Sequence, residues 1–105
     1  MRDYTFAQRS EFTSTMQAEL ASINRDLDQM EEKIAKSNDA IKAEAKPRID
    51  ALRLQSANMT RQLDRAKDAT ESTWADVKEG SRKAYVEMKE GFTQARQWVS
   101  DKIAP

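Results

Sequence analysis

Apolar residues recur along the chain at alternating steps of three and four, which is the spacing of helices that pack along one face. In the first half these residues are Phe12, Met16, Leu20, Ile23, Leu27, Met30, Ile34 and Ile41. From Leu20 onward the rhythm is the a/d pattern of a coiled coil. Asp3 suits an N-cap, and neither glycine nor proline occurs between Tyr4 and Lys46. The pattern therefore predicts one helix over about residues 3–45.

Pro47 is the strongest interruption of this pattern. A proline disfavours an α conformation at the residue before it and suits the first turn of a new helix. We therefore predict a turn near residues 45–47, after which the stripe resumes with Ile49, Leu52 and Met59. The predicted fold is all-α: a long antiparallel helical hairpin, or coiled coil, with a second helix over about 47–103. Residues 1–105 would form a single domain.

The segment 68–73 offers a second place for the chain to turn. Thr73 and Asp76 make an S/T-x-x-D/E capping pattern, which favours an alternative three-helix bundle with a second break near residues 70–73. The apolar residues that follow nevertheless stay in angular phase with the preceding stripe. We therefore favour one continuous second helix over this alternative.

From Trp74 onward the period becomes eleven residues. Residues 74–84 align with residues 85–95, with an aromatic residue, an acid, Lys-Glu-Gly and Ala in register. Eleven residues make almost three helical turns, so equivalent positions fall on one line along the helix. We take the large apolar and aromatic residues of this segment as the candidate interaction surface: Trp74, Tyr85, Met88, Phe92, Trp98, Val99 and Ile103. Four bases border this stripe on one edge: Lys78, Arg82, Lys89 and Arg96.

The repeat resembles the eleven-residue amphipathic repeats of exchangeable apolipoproteins and synucleins, whose Lys-Glu-Gly core recurs at residues 78–80 and 89–91. This resemblance covers about residues 74–103 and implies reversible binding to a lipid surface. The chain is also similar to small bacterial coiled-coil proteins of unknown function that share a late Trp-x-Asp-x-Lys-x-Gly segment. Trp74, Asp76, Lys78 and Gly80 match that segment. This second resemblance implies a helical fold and no particular activity.

Composition narrows the chemistry. The 105 residues include no cysteine and no histidine, and 18 basic side chains balance 18 acidic ones. Because the usual metal ligands and the serine–histidine couple are missing, we predict no catalytic residue, no cofactor and no metal site. Zero net charge argues against a nucleic-acid partner, since phosphate binding needs a basic surplus. Without a signal-peptide pattern the expected compartment is cytoplasmic, or periplasmic if the chain is a processed fragment.

The hairpin leaves apolar surface uncovered. If the turn lies near residue 46, Tyr4 faces about Met88. The overhang beyond that point carries Phe92, Trp98, Val99 and Ile103. A two-helix seam also hides only a narrow stripe of each helix. We therefore predict a non-enzymatic structural or interaction protein that forms a homo-oligomer or binds a protein partner. The alternative is reversible binding of residues 74–103 to a lipid surface.

Overall fold

The computed structural model describes residues 4–103 and folds them into three α-helices packed side by side. A short 3₁₀ helix, Phe6–Gln8, leads into α1, Arg9–Ala35; α2 spans Asp39–Lys67 and α3 spans Trp74–Ile103. The helices run up, down and up along a bundle of 51 × 20 × 16 Å, and every pair of helices is in contact. The predicted all-α fold is confirmed, and the observed architecture is the three-helix alternative. The predicted N-cap, Asp3, lies outside the described residues.

The first turn occupies residues 36–38, so the predicted turn near residues 45–47 is wrong. The Ser37 amide and hydroxyl both donate to the Ile34 carbonyl oxygen at the end of α1. Asn38 has an extended backbone, and its side-chain oxygen accepts a hydrogen bond of 2.9 Å from the Ile41 amide. Asn38 is therefore the N-cap of α2. The polar run Ser-Asn-Asp at residues 37–39 is typical of a turn. A prediction that considers only glycine and proline misses it.

Pro47 lies inside α2 rather than at its start. Because proline has no N–H, the Ala43 carbonyl four residues earlier loses its partner in the helix. Ala43 and Pro47 are both exposed, so water can hydrogen-bond this carbonyl. On the other side of the helix, Ala45 and Leu52 are buried in the core. The helix continues through the proline because a break there would pull these two side chains out of the core.

The second turn occupies residues 68–73. The predicted continuous helix over residues 47–103 is therefore wrong, and the predicted break near residues 70–73 is confirmed. The Thr73 hydroxyl oxygen accepts a hydrogen bond of 2.9 Å from the Thr70 amide, which closes the turn. The Thr73 carbonyl accepts one of 3.1 Å from the Val77 amide, as the carbonyl of an N-cap residue does.

The core is one continuous cluster along the bundle, built from one side of each helix. Its largest fully buried side chains are Phe12, Met16, Leu27, Met59, Leu63 and Met88. Leu20, Ile23, Met30 and Ile34 are buried as well, so the heptad pattern identified core positions correctly as far as Ile34. Ile41 is only half-buried and lies outside the core cluster, because the turn at residues 36–38 places it on α2. The core is thin because each helix has only one buried side.

Polar contacts set the register of α1 against α2. The Arg53 guanidinium binds the carboxylates of Asp28 at 2.6 Å and Glu31 at 2.9 Å, one turn apart on α1. Its hydrogen bond to Asp28 raises the pKa of Arg53 above the ordinary value. The Ser56 hydroxyl donates a bond of 2.9 Å to the Asn24 side-chain oxygen further along the same pair of helices. These contacts are half-exposed, so they specify pairing more than they add stability.

Replacing Pro47 by Ala should stabilise the protein. The substitution restores a donor for the Ala43 carbonyl inside an exposed stretch of helix, where proline is about 3 kcal/mol less favourable than alanine. We expect the free energy of unfolding to rise by about 1 to 3 kcal/mol. Urea denaturation followed by circular dichroism measures this change.

Asn38→Ala is the matched control for the position of the turn. Loss of the N-cap bond should lower the free energy of unfolding by about 1 kcal/mol. If Pro47→Ala destabilised the protein and Asn38→Ala had no effect, the turn would lie near residue 46 and not at residues 36–38.

Candidate functional site

The predicted interaction surface of α3 lies mostly inside the protein. Trp74, Met88, Phe92 and Val99 are buried, whereas Tyr85, Trp98 and Ile103 are half-buried. The predicted overhang is absent, because the two turns fold α3 back along α1 and α2 over its whole length. Four of the seven residues therefore serve the core of the same chain. Only the three half-buried residues offer accessible area.

Trp74 belongs to an aromatic cluster at the end of the bundle where the chain begins. Its ring packs edge-on against Phe12 at 5.4 Å between ring centroids, and Phe12 packs edge-on against Tyr4 at 5.4 Å. The Trp74 indole N–H donates a buried hydrogen bond of 3.0 Å to the Tyr4 carbonyl oxygen. Lys78 donates to the same oxygen at 2.9 Å. The start of the chain is thereby tied to the first turn of α3.

Trp98 lies on the side of α3 that faces α2. The Arg48 guanidinium sits over its ring, 5.1 Å from the centroid. The covering group is a residue of the same chain, so a cation–π contact shields part of the ring without any partner.

The two glycines of the Lys-Glu-Gly repeats mark where α3 comes closest to α2. A Cβ atom on Gly80 would lie 2.9 Å from Gln62 Oε1. A Cβ atom on Gly91 would lie 2.9 Å from Gln55 Oε1 and 3.2 Å from the Leu52 Cδ2 methyl. At each repeat glycine, a glutamine side chain of α2 therefore occupies the space that a Cβ atom would need. Helix packing within the chain thus accounts for both glycines that suggested a lipid-binding repeat.

Small side chains continue this close approach between α2 and α3. Ser81 is fully buried, and its hydroxyl donates a hydrogen bond of 3.3 Å to the Gln62 carbonyl oxygen. Ala66, Ala84 and Ala95 are also buried along the two helices. As a result, α2 and α3 pack more extensively than any other pair of helices, and α1 and α3 pack least.

Three of the four bases that border the stripe, Lys78, Lys89 and Arg96, lie on the side of α3 that faces α1. Lys78 binds the Tyr4 carbonyl, and Arg82 is half-buried. The Lys89 ammonium lies over the Tyr85 ring, 5.7 Å from the centroid. Arg96 lines a groove between α1 and α3. The edge of α3 that was predicted to carry these bases therefore lies on the side of the bundle formed by α1 and α3.

A groove of about 360 Å³ opens between α1 and α3 toward the end of the bundle that holds residues 30 and 99. Met30, Phe92 and Val99 form its apolar floor. The polar residues of its two walls are Asp26, Gln29, Lys33, Arg96 and Ser100. The groove lies between α1 and α3, the two helices that pack least extensively against each other. We call the side of the bundle that contains it the α1/α3 face.

The α1 edge of this face carries charges that the sequence pattern did not single out. Glu19 accepts a hydrogen bond of 3.4 Å from the Tyr85 hydroxyl across the face. Asp26 and Lys33 line the groove. Glu19, Asp26 and Lys33 are spaced seven residues apart, so they occupy the same heptad position and lie along one edge of α1. The heptad spacing alone does not predict that α3 lies beside this edge, because that depends on the turns at residues 36–38 and 68–73.

The two glycines should respond differently to alanine. Both substitutions remove the helix penalty of glycine, about 1 kcal/mol. At position 80 only the end of the Gln62 side chain must move, so Gly80→Ala should raise the free energy of unfolding by about 0.5 to 1 kcal/mol. At position 91 the buried Leu52 methyl must also move, so Gly91→Ala should lower it by about 1 kcal/mol. Equal stabilisation by both variants in urea denaturation would contradict the close approach at Gly91.

Trp74 should act on stability and not only on binding. Trp74→Ala empties a buried aromatic position and should cost about 3 to 5 kcal/mol in the free energy of unfolding. Trp74→Phe keeps an aromatic ring but removes the indole donor. The lost hydrogen bond should cost about 1 kcal/mol, and the smaller buried ring should add a further loss of stability. Trp98→Ala, at a half-buried position, is the control and should cost less than Trp74→Ala. Unchanged thermal unfolding of Trp74→Ala would show that the aromatic cluster does not hold the bundle end.

Across residues 4–103, His, Cys, Asp and Glu form no group of three or more that could hold a metal ion. No helix in the described part of the chain is long and apolar enough to cross a membrane. Comparisons with protein-family models, with curated proteins and with solved structures give no match to this chain.

Proposed function

We propose that the protein is a non-enzymatic helical interaction module that self-associates through its α1/α3 face. The observation that carries this proposal is the groove between α1 and α3. Its floor of Met30, Phe92 and Val99 is apolar, and its walls are polar. A centre of apolar atoms surrounded by polar residues is the usual anatomy of a protein–protein interface.

The α1/α3 face is the side of the bundle on which further helices can pack. The α2/α3 pair is closed by glycines and small residues, and the α1/α2 pair is bridged by Arg53. The α1/α3 pair is the least extensively packed and has the half-exposed Tyr85 and Ile103 on the α3 side. Helices added there would extend the apolar core as in a four-helix arrangement.

A second copy of the chain is the occupant that the dimensions favour. The bundle is 51 Å long and 20 Å wide. A flat side of these dimensions would measure about 1,000 Å², which is close to the roughly 800 Å² of each partner that a standard interface uses. The face carries charges of both signs: Asp26 and Lys33 on α1 and Arg96 on α3. A surface with both signs can be complementary to itself, as two-fold symmetric interfaces require.

Lipid-surface binding is the competing proposal, and the buried stripe weighs against it. The apolar residues of α3 that would enter a lipid surface form the core with α1 and α2. Binding would require α3 to leave this core, whereas self-association through the half-buried Tyr85 and Ile103 would leave the core in place. The packing of Gly80 and Gly91 against α2 also gives the two glycines of the repeat a role within the chain. Self-association is therefore the proposal that we develop.

Sedimentation velocity across a concentration series tests self-association. Wild-type protein should shift from monomer to dimer as its concentration rises. Ser100→Lys adds a third base to a groove wall region that already holds Lys33 and Arg96, so two copies should repel each other there. We expect dimer affinity to fall at least about tenfold, because a charge left unmatched in an interface costs more than 1 kcal/mol.

Ala57→Lys is the matched control, because it adds the same side chain at an exposed position of α2, outside the groove. It should leave the dimer affinity unchanged. Wild-type protein that remains monomeric at every concentration would refute self-association. Equal weakening by Ser100→Lys and Ala57→Lys would place the contact elsewhere. Co-flotation of the monomer with anionic vesicles would instead favour the lipid proposal.

A further inference from the structure

We propose that residues 4–8 act as a latch that holds α3 against α1, and that release of this latch lets the two helices separate while both stay on α2. The latch consists of Tyr4, Thr5 and the short 3₁₀ helix Phe6–Gln8. In its closed position it lies against the aromatic pair of Phe12 and Trp74. The latch acts within a single copy of the chain, so it does not depend on self-association.

One backbone oxygen of the latch receives two side chains of α3. The Tyr4 carbonyl accepts a hydrogen bond of 3.0 Å from the Trp74 indole N–H and one of 2.9 Å from the Lys78 ammonium. A carbonyl oxygen has two lone pairs, so both donors can bind it at once. The bond from Trp74 is buried, and the bond from Lys78 is strengthened by the charge of its donor. The latch is therefore fixed to the beginning of α3.

The two rings of the latch contact one aromatic residue on each of the two helices. Tyr4 packs edge-on against Phe12 of α1, with 5.4 Å between ring centroids. Phe6 packs edge-on against Trp74 of α3, with 6.4 Å between ring centroids. Edge-on contact is a favourable arrangement of aromatic rings. The latch therefore bridges α1 and α3 through its rings as well as through its carbonyl.

The latch can leave its position without disrupting α1. Two of its backbone amides bond within the latch: the Gln8 amide donates to the Thr5 carbonyl at 3.0 Å, and the Thr5 amide donates to the Gln8 side-chain oxygen at 3.1 Å. The α1 helix begins after the latch, at Arg9. A segment near a chain end that is held by a few contacts opens locally before the whole protein unfolds. Release of the latch therefore breaks its contacts with the aromatic pair and with α3, and it leaves the helix α1 intact.

Beyond the latch, α1 and α3 each pack more extensively against α2 than against each other. A groove separates α1 from α3 toward the opposite end of the bundle. Arg53 of α2 binds Asp28 and Glu31 of α1, and α2 meets α3 closely at Gly80 and Gly91. Release of the latch therefore separates α1 from α3, with α2 as the common support about which they open.

Opening at the latch uncovers side chains that the closed bundle buries. Phe12 is fully buried and Trp74 is 5% exposed, and both lie directly against the latch. Met16, one turn further along α1, is buried as well. Together these side chains would form a contiguous apolar surface, which is the kind of surface that binds other molecules. The closed latch therefore withholds this surface from contact with other molecules.

Distances between spin labels test whether the latch controls this opening. The chain has no cysteine, so two introduced cysteines carry the only labels. Gln17→Cys with Lys83→Cys measures the distance from α1 to α3, and Arg61→Cys with Lys83→Cys measures the distance from α2 to α3. All three positions are exposed and lie in the half of the bundle that holds the latch. Pulsed electron paramagnetic resonance of labelled chains diluted into unlabelled chains reports distances within one molecule.

Tyr4→Ala combined with Phe6→Ala removes both rings of the latch. Loss of the two aromatic contacts should raise the ratio of open to closed molecules at least about hundredfold. An open state that holds about 0.1% of wild-type molecules would then hold about a tenth of the variant molecules. We expect a second, longer distance from α1 to α3 in that fraction, with the distance from α2 to α3 unchanged.

Trp98→Ala combined with Ile103→Ala is the matched control, because both positions are half-buried and lie at the end of α3 away from the latch. This control also removes two large apolar side chains, and it should leave the distance from α1 to α3 unchanged. Circular dichroism establishes that each variant is folded.

If the variant without both rings does not fold, Phe6→Ala alone replaces it, since Phe6 is half-buried. The measurement is then the exchange of the Trp74 indole proton with solvent, followed by nuclear magnetic resonance. Opening of the latch breaks the bond between this proton and the Tyr4 carbonyl, so exchange should be at least about tenfold faster than in wild type. An unchanged exchange rate overturns the latch.

The two distances distinguish release of a latch from a general loss of packing. A longer distance from α1 to α3, with a constant distance from α2 to α3, supports the latch. Lengthening of both distances overturns it, since α3 would then leave α2 as well. No lengthening in the folded latch variant, or equal lengthening in the control, overturns it too. A wild-type chain that sediments as a monomer refutes self-association and leaves these distances within one chain unaffected.

Discussion

Burial of the apolar stripe of α3 is the constraint on which the rest of the structure depends. The stripe includes Trp74, Met88, Phe92 and Val99, and a single partner helix can cover only a narrow part of it. Two turns divide the described chain into helices of 27, 29 and 30 residues. Because the lengths are nearly equal, every part of the stripe finds both α1 and α2 beside it. A hairpin turning at Pro47 would leave part of α3 without that cover.

The packing within the bundle is uneven, and the proposed function follows from this unevenness. Glycines at positions 80 and 91 let α2 and α3 approach until glutamine side chains fill the space that a Cβ would occupy. α1 and α3 pack least extensively against each other, and a groove lies between them. The least closed pair of helices therefore provides the surface with both apolar floor and polar walls. Close packing follows from where small residues occur, and the groove lies on the side of the bundle that packs least.

The repeat illustrates how one pattern can serve two physical purposes. Glycine and border bases at eleven-residue spacing suit a helix on a lipid surface, and they suit a helix packed between two others. In this fold Lys78 binds the Tyr4 carbonyl and Lys89 covers Tyr85, so both bases contact residues of the same chain. Periodicity identifies the sides of a helix. It does not identify what lies against each side.

The sequence by itself determined the helical class and most of the core. The three-and-four spacing placed Leu20, Leu27 and Met59 inside because burying one side of a helix requires that period, whichever helix packs against it. Only the tertiary structure decided where the chain turns and which sides meet. The Asn38 cap outcompetes the break at Pro47, because residues around Pro47 gain burial by staying helical. Edge charges such as Asp26 and Arg96 acquire a relation to each other only once both turns are in place, since pairing between helices is a property of distance in space and not of distance along the chain.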